Sequence, residues 1–166
     1  MSSEGLDKPK SLGLEGELPR LSKPPLLVLH INDNTDDQVI FQTACKRAGA
    51  PIQWHIAESA ERGISYLDSL VAMSRKESVR WPDLIILDLI LPGLSGLTVL
   101  EHIRKSAELQ LLPVVVLTAQ DAPVLVEQAL KLGANSFHAK PTDFADMVDL
   151  VRTLYKVWSM AKRPTL

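Results

Sequence analysis

Five short apolar runs recur from Pro25 onward, and each is followed by a longer stretch whose apolar residues repeat at helical spacing. Such regular alternation of strand-like and helix-like segments predicts an α/β domain with a parallel sheet, because parallel neighbours need crossover connections that helices supply. The runs are Leu26–Ile31, Ile52–Ala57, Leu84–Leu87, 113–117 and Ser136–Ala139. The third and fourth are apolar without alternation, as in central strands covered on both faces. The second alternates Ile52, Trp54 and Ile56 with Gln53 and His55, which predicts a less buried position at a sheet edge.

The intervening segments carry helix boundaries. Asn34 or Thr35 caps the first, with Asp36 and Asp37 in its first turn and Ile40, Phe41, Ala44, Cys45 and Ala48 as its buried side before Gly49. Ser59 starts the second, and Ile64, Leu67, Leu70 and Val71 define its inner face. In the third, started near Ser95, Leu97, Leu100 and Ile103 point inward and Glu101, Arg104 and Lys105 outward. Asp121 is read as the cap of a fourth that runs to Leu132, and Gly133 closes it. A fifth runs from Thr142 or Asp143 to about Met160, with Phe144, Met147, Val148, Val151, Leu154 and Trp158 in one stripe.

Residues 1–24 differ in texture. They hold three prolines, three glycines and four charges of each sign, with no aromatic or β-branched residue, and are expected to be a disordered extension. Leu14, Leu18 and Leu21 have helical spacing there, but Pro19 interrupts them. Residues 25–160 are therefore expected to form the one folded domain, with 161–166 a short tail. The formal charge of −2 supplies no global field for a polyanion, so nucleic acid is not an expected partner. The single cysteine, Cys45, cannot form an internal disulfide, and no apolar run is long enough to span a bilayer. A cytoplasmic protein is expected.

Ligands of a parallel α/β sheet gather outside the carboxyl ends of the strands, so the polar residue that ends each run is the one to inspect. Those residues are Asp33, Asp88, Thr118 and Lys140. Two acids, a hydroxyl and an ammonium converging on one rim suit a divalent cation and a phosphoryl group. With strand order 2-1-3-4-5, the first and third strands are neighbours and bring Asp33 and Asp88 face to face. Taken singly, each has a plainer reading: Asp33 and Thr118 as caps, Lys140 as a solvated charge. The four histidines, His30, His55, His102 and His138, show no metal-ligand spacing.

In these elements the sequence resembles the receiver domains of two-component response regulators: Asn32-Asp33 after the first strand, LIILDLILPGLSG around Asp88, VVVLTA with Thr118, and GANSFHAKP with Lys140. The resemblance covers about residues 25–160, and the HINDNTDD start and the Tyr155-to-Trp158 ending look most like stand-alone receivers serving phytochrome-type and hybrid histidine kinases. It implies a flavodoxin-like (βα)5 doubly wound fold and a phosphoryl group accepted by Asp88 from a sensor or hybrid histidine kinase. It also implies Mg²⁺ held by Asp33, Asp88 and the backbone carbonyl of Ile90. Lys140 would pair with Asp88 and then with the phosphoryl group. Thr118 would turn inward to bind it, leaving space for Phe137 to turn in as the second switch residue. A cis Lys140-Pro141 bond is implied as well.

One departure stands out. Receivers generally carry two adjacent acids at the end of the first strand, and here the first is Asn32. The site is read as having lost a negative charge, so that Asn32 ligates weakly or through water and Mg²⁺ affinity falls. The alternative reading is a pseudo-receiver, a docking module that is not phosphorylated. An aspartyl-phosphate hydrolase is disfavoured, because Ile90 stands where that class has a second acid. Phosphoacceptor rather than enzyme is the expectation. Only six residues follow the last helix, so the output is expected to leave through a protein-interaction surface, with an unknown target or a homodimer through the fourth helix, fifth strand and fifth helix.

Overall fold

The alternation resolves, in a computed structural model that describes residues 24–161, into ten elements: β1 Leu26–Ile31, α1 Thr35–Arg47, β2 Ile52–Ala57, α2 Ala60–Ser74, β3 Leu84–Leu87, α3 Gly96–Lys105, β4 Val114–Thr118, α4 Pro123–Lys131, β5 Ser136–Ala139 and α5 Phe144–Met160. The strands form one parallel sheet in the order β2-β1-β3-β4-β5. This is the doubly wound order expected from the sequence. Apart from Pro24, the N-terminal extension lies outside the described residues, as does the tail after Ala161.

Successive side chains of a strand point to opposite faces, and the sheet builds two cores from that rule. Leu29, Ile31, Ile85, Leu87, Val114 and Val116 face one way and pack with Leu67 of α2 and Leu100 and Ile103 of α3. Val28, Ile86, Val115 and Leu117 face the other way and meet Phe41 and Ala44 of α1 and Met147, Val151 and Leu154 of α5. β3 and β4 are buried along their whole length, whereas β2 is half-buried at its edge. Phe137 of β5 is half-buried against the first core.

Several local expectations are corrected. Asp121 does not cap α4: Ala122 holds the cap position without a side-chain hydrogen bond, and Pro123 opens the helix at the turn where its missing N–H costs nothing. Ile40 and Phe144 are both 44% exposed, so the inner faces of α1 and α5 are narrower than the apolar spacing suggested. The described residues contain no cis peptide, so Lys140-Pro141 is trans, the isomer that X-Pro bonds favour by about 0.5–1 kcal/mol. Arg104 is half-buried instead of pointing outward, and it gathers four acceptors at the amino-terminal edge of β4 and β5. Among the described residues, no helix is long and apolar enough to cross a membrane.

Candidate functional site

β1 and β3 pair in register, Ile31 beside Leu87, so their exits lie side by side where the chain order reverses. Asp88 follows β3 and is buried to 6% exposure, and its backbone N–H donates to Ile31 O at 3.0 Å. Buried polar groups are costly unless partnered, and this carboxylate has three donors. The N–H of Ile90 and the hydroxyl of Thr118 each donate to Oδ1 at 3.0 Å, and Lys140 Nζ donates to Oδ2 at 2.6 Å. Thr118 closes the buried strand β4, and Lys140 follows β5, where its N–H donates to Thr118 O at 2.8 Å. Three strand ends thus converge on one carboxylate.

The Lys140 ammonium has a second carboxylate, which the sequence reading missed. Asp37 Oδ2 lies 2.5 Å from Nζ, beside the bond to Asp88. Burial works to lower the Lys140 pKa, but the hydrogen bonds and charges of Asp37 and Asp88 together raise it above the usual lysine value. The helical repeat gave the signal: Asp37, Phe41 and Ala44 share the inner face of α1, so Asp37 was never only a dipole partner.

Asn32 prepares the position of Asp37. Its side chain is buried, and its Oδ1 accepts from Asn34 N at 2.8 Å, forming the turn into α1. Gln38 Nε2 donates to Asn32 O at 2.7 Å, and Asn34 Oδ1 accepts from Asp37 N at 3.1 Å as the helix cap. Asp33 sits beyond β1 with its side chain exposed, and no hydrogen bond joins it to Asp88. Thr118 already engages Asp88, so its hydroxyl is inward without a phosphoryl group to draw it.

Behind the rim lies His30, 2% exposed, between Phe41 and Trp54 with ring centroids 5.3 and 6.0 Å away. Its Nδ1 has no hydrogen-bond partner. Burial first, and Lys140 second, lowers its pKa to about 4 against the weaker opposite pull of Asp88 and Asp37. Gly96, at the start of α3, lies against the Asp88 backbone: a Cβ there would run into the Asp88 carbonyl oxygen and lie 2.7 Å from Leu89 Cα. That contact has no signature along the chain, because closeness between α3 and the β3 exit is a tertiary fact.

As a metal site, the donors are of the right kind. Asp33, Asp88 and the Ile90 carbonyl are hard oxygens, and Mg²⁺ needs only one or two carboxylates when water and phosphate complete its octahedron. Among the described residues no three His, Cys, Asp or Glu side chains are already gathered as a metal cluster.

A five-stranded 2-1-3-4-5 sheet with an acid, a hydroxyl and a lysine at its carboxyl rim defines a receiver. The chain belongs to the response regulator receiver domain family, which it matches over residues 28–152. The two-component response regulator ARR16 of Arabidopsis thaliana is 30% identical over 134 residues, which cover 75% of this chain and 77% of that one. The Mn²⁺-bound response regulator Rcp1 superposes with a TM-score of 0.72 at 26% identity, covering 85% of this chain and all of that one. RPA3017, a response regulator in red light signaling of R. palustris, gives 0.75 at 25% identity over 86% of this chain and 99% of that one.

Proposed function

We propose that the protein is a phosphorylated switch: Asp88 accepts a phosphoryl group from the phosphohistidine of a sensor or hybrid histidine kinase, and the change is read at a protein-interaction surface. The observation that carries this reading is the buried Asp88 carboxylate facing Thr118 and Lys140 at once. A carboxylate oxygen forms the bond to phosphorus as the bond from the imidazole nitrogen breaks, and the electron pair of that bond stays on the imidazole. The incoming group carries negative charge on three oxygens, and Lys140 and the Thr118 hydroxyl are the donors placed to receive them.

Asp33, Asp88 and the Ile90 carbonyl would hold Mg²⁺, which neutralises charge on the transferring group. The Ile90 N–H and Lys140 orient Asp88 so that it presents a lone pair to the rim rather than rotating. Phe137, half-buried on β5 beside Val116 and two positions before the partner of Thr118, is the residue proposed to reorient when the phosphoryl group takes over the Thr118 hydroxyl. Output is assigned to the face of α4, β5 and α5, where Val124 and Val157 are 64% and 54% exposed and Leu130 is also open to solvent. A downstream protein or a second copy of the chain would dock there.

Phosphotransfer from candidate kinases to the wild type and to Asp88→Asn, with and without Mg²⁺, tests the reading. The expected result is label on the wild type only, dependent on the cation. Label that persists on Asp88→Asn overturns the acceptor assignment. An unlabelled wild type that still binds its partner selects the docking-module reading instead.

A further inference from the structure

Just past Asn32, the first turn of α1 carries Asp37. Asp37 and Asp88 both grip the Lys140 ammonium, at 2.5 and 2.6 Å, in a place where the lysine side chain is only 13% exposed. Asp33, exposed after β1, adds a third carboxylate to the rim, the same count as a receiver with two acids after β1. We propose that Asp37 is the displaced second acid of this site, a positioning residue that shares Lys140 with Asp88 and thereby preserves the negative charge Asp88 presents to a divalent cation and to the rim. The assignment rests on the metal-assisted reading above and names which residue of this chain replaces the missing acid.

The physical reason lies in how one positive charge is divided. If Asp88 were the sole partner of Lys140, the pair would be locally neutral and a cation would have to compete with the ammonium for the same carboxylate. With Asp37 as a second partner, the ammonium is satisfied by two anions, and Asp88 keeps part of its charge for a second cation. Asp37 lies in the first turn of α1, where the helix dipole favours anions, and its own N–H is held by the Asn34 cap. Asn32 then has a different task from that of an acid. Its amide oxygen pins the turn through Asn34 N, and Gln38 clasps its carbonyl, so the neutral residue aims the charged one. Asn32 and Asp37 act as a pair.

An exchange of the two residues tests this directly. Mg²⁺ and Mn²⁺ affinities of the unphosphorylated protein, measured by calorimetry, are compared for the wild type, Asp37→Asn, Asn32→Asp and the Asn32→Asp/Asp37→Asn double variant, with thermal melts to show that each is folded. Asp37→Asn should weaken cation binding three- to ten-fold. The double variant should return to within about two-fold of the wild type, because an acid is back in the cavity that Asn32, Asp37 and Lys140 line together. Asp37→Glu, with the charge on a longer arm, should stay within three-fold and serves where Asp37→Asn does not fold. A purely structural Asp37 would lower the melting temperature and gain nothing from Asn32→Asp. The proposal is overturned if Asp37→Asn binds cations as well as the wild type, or if the double variant stays as weak as the single one. Neither result depends on phosphotransfer, so it stands apart from the Asp88→Asn labelling, which alone decides the acceptor.

Discussion

Two basic side chains tie this sheet together at its opposite ends, and they do so differently. At the amino-terminal edge, Arg104 donates to the carbonyls of Gly133, Gln110 and Leu112 and to Asn135 Oδ1, at 2.8 to 3.1 Å. At the carboxyl-terminal edge, Lys140 donates to two carboxylates. Arg104 meets neutral acceptors fixed by the backbone, with its planar fork matched to them, and nothing in that arrangement has a second state. Lys140 is a compact charge between two like charges that repel each other, and a change on either one alters its balance. Neutral, saturated contacts hold a fold. Paired charges of one sign around a single ammonium make a place that responds.

The largest effect should come where the responsive edge touches rigid backbone. In Gly96→Ala the new methyl group would meet the carbonyl of Asp88, which cannot rotate away as a side chain could. The expected cost is about 3 kcal/mol or more, at the upper end for overpacking, read as a lower urea midpoint. If the fold survives, Asp88 must shift, and phosphotransfer should fall with stability. A folded variant with unchanged stability would show that α3 does not press on the β3 exit. Gly63→Ala is the control: there the obstruction is the end of the Ile31 side chain, 2.6 Å away, which can change rotamer.

Next in size is the static clasp. Arg104→Ala removes the donor from three backbone carbonyls, those of Gly133 and Leu112 in part-buried bonds, while Asn135 Oδ1 keeps the Val114 N–H. About 2–3 kcal/mol should be lost, with water covering the more exposed acceptors. Cation affinity and phosphotransfer of the folded fraction should be unchanged. A variant as stable as the wild type but impaired in transfer would erase the distinction between the two edges.

The legible and illegible parts of the sequence divide along similar lines. The ten elements, the edge position of β2 and the central burial of β3 and β4 follow from periodicity, since apolar spacing reports burial directly. Asp88, Thr118 and Lys140 could be singled out because each ends an apolar run, and the fold brings those ends together. Asp37 and Arg104 escaped because both sit on helices among other charged residues, where a solvated face is the ordinary reading. Their roles depend on which loop or strand end lies opposite, and helical periodicity gives a direction but not a partner. Asn32 is read along the chain, whereas Asp37 reaches the rim only in space.

The smallest effect concerns pH and lies just behind the responsive edge. His30 titrates near 6.5 when exposed in the unfolded chain, but burial and the nearby Lys140 ammonium hold it to about 4 in the folded protein. The unfolded state therefore takes up its proton first as pH falls. Stability linked to His30 is fully present above about 6.5, declines as pH drops toward 4, and is completely lost below that. At pH 5.5 the loss should be roughly 1 kcal/mol, measurable from urea midpoints at pH 7.5 and 5.5. Asp88 and Asp37 pull the other way, so Asp37→Asn should deepen the acid loss around pH 4, where folded His30 takes its proton, by removing one of the charges that favours protonated His30. In His30→Phe the aromatic contacts with Phe41 and Trp54 can persist while the unpartnered Nδ1 disappears. That variant should lose little at neutral pH and should show a smaller fall toward pH 5.5. An equal fall in both proteins would place the acid sensitivity elsewhere and leave His30 as packing alone.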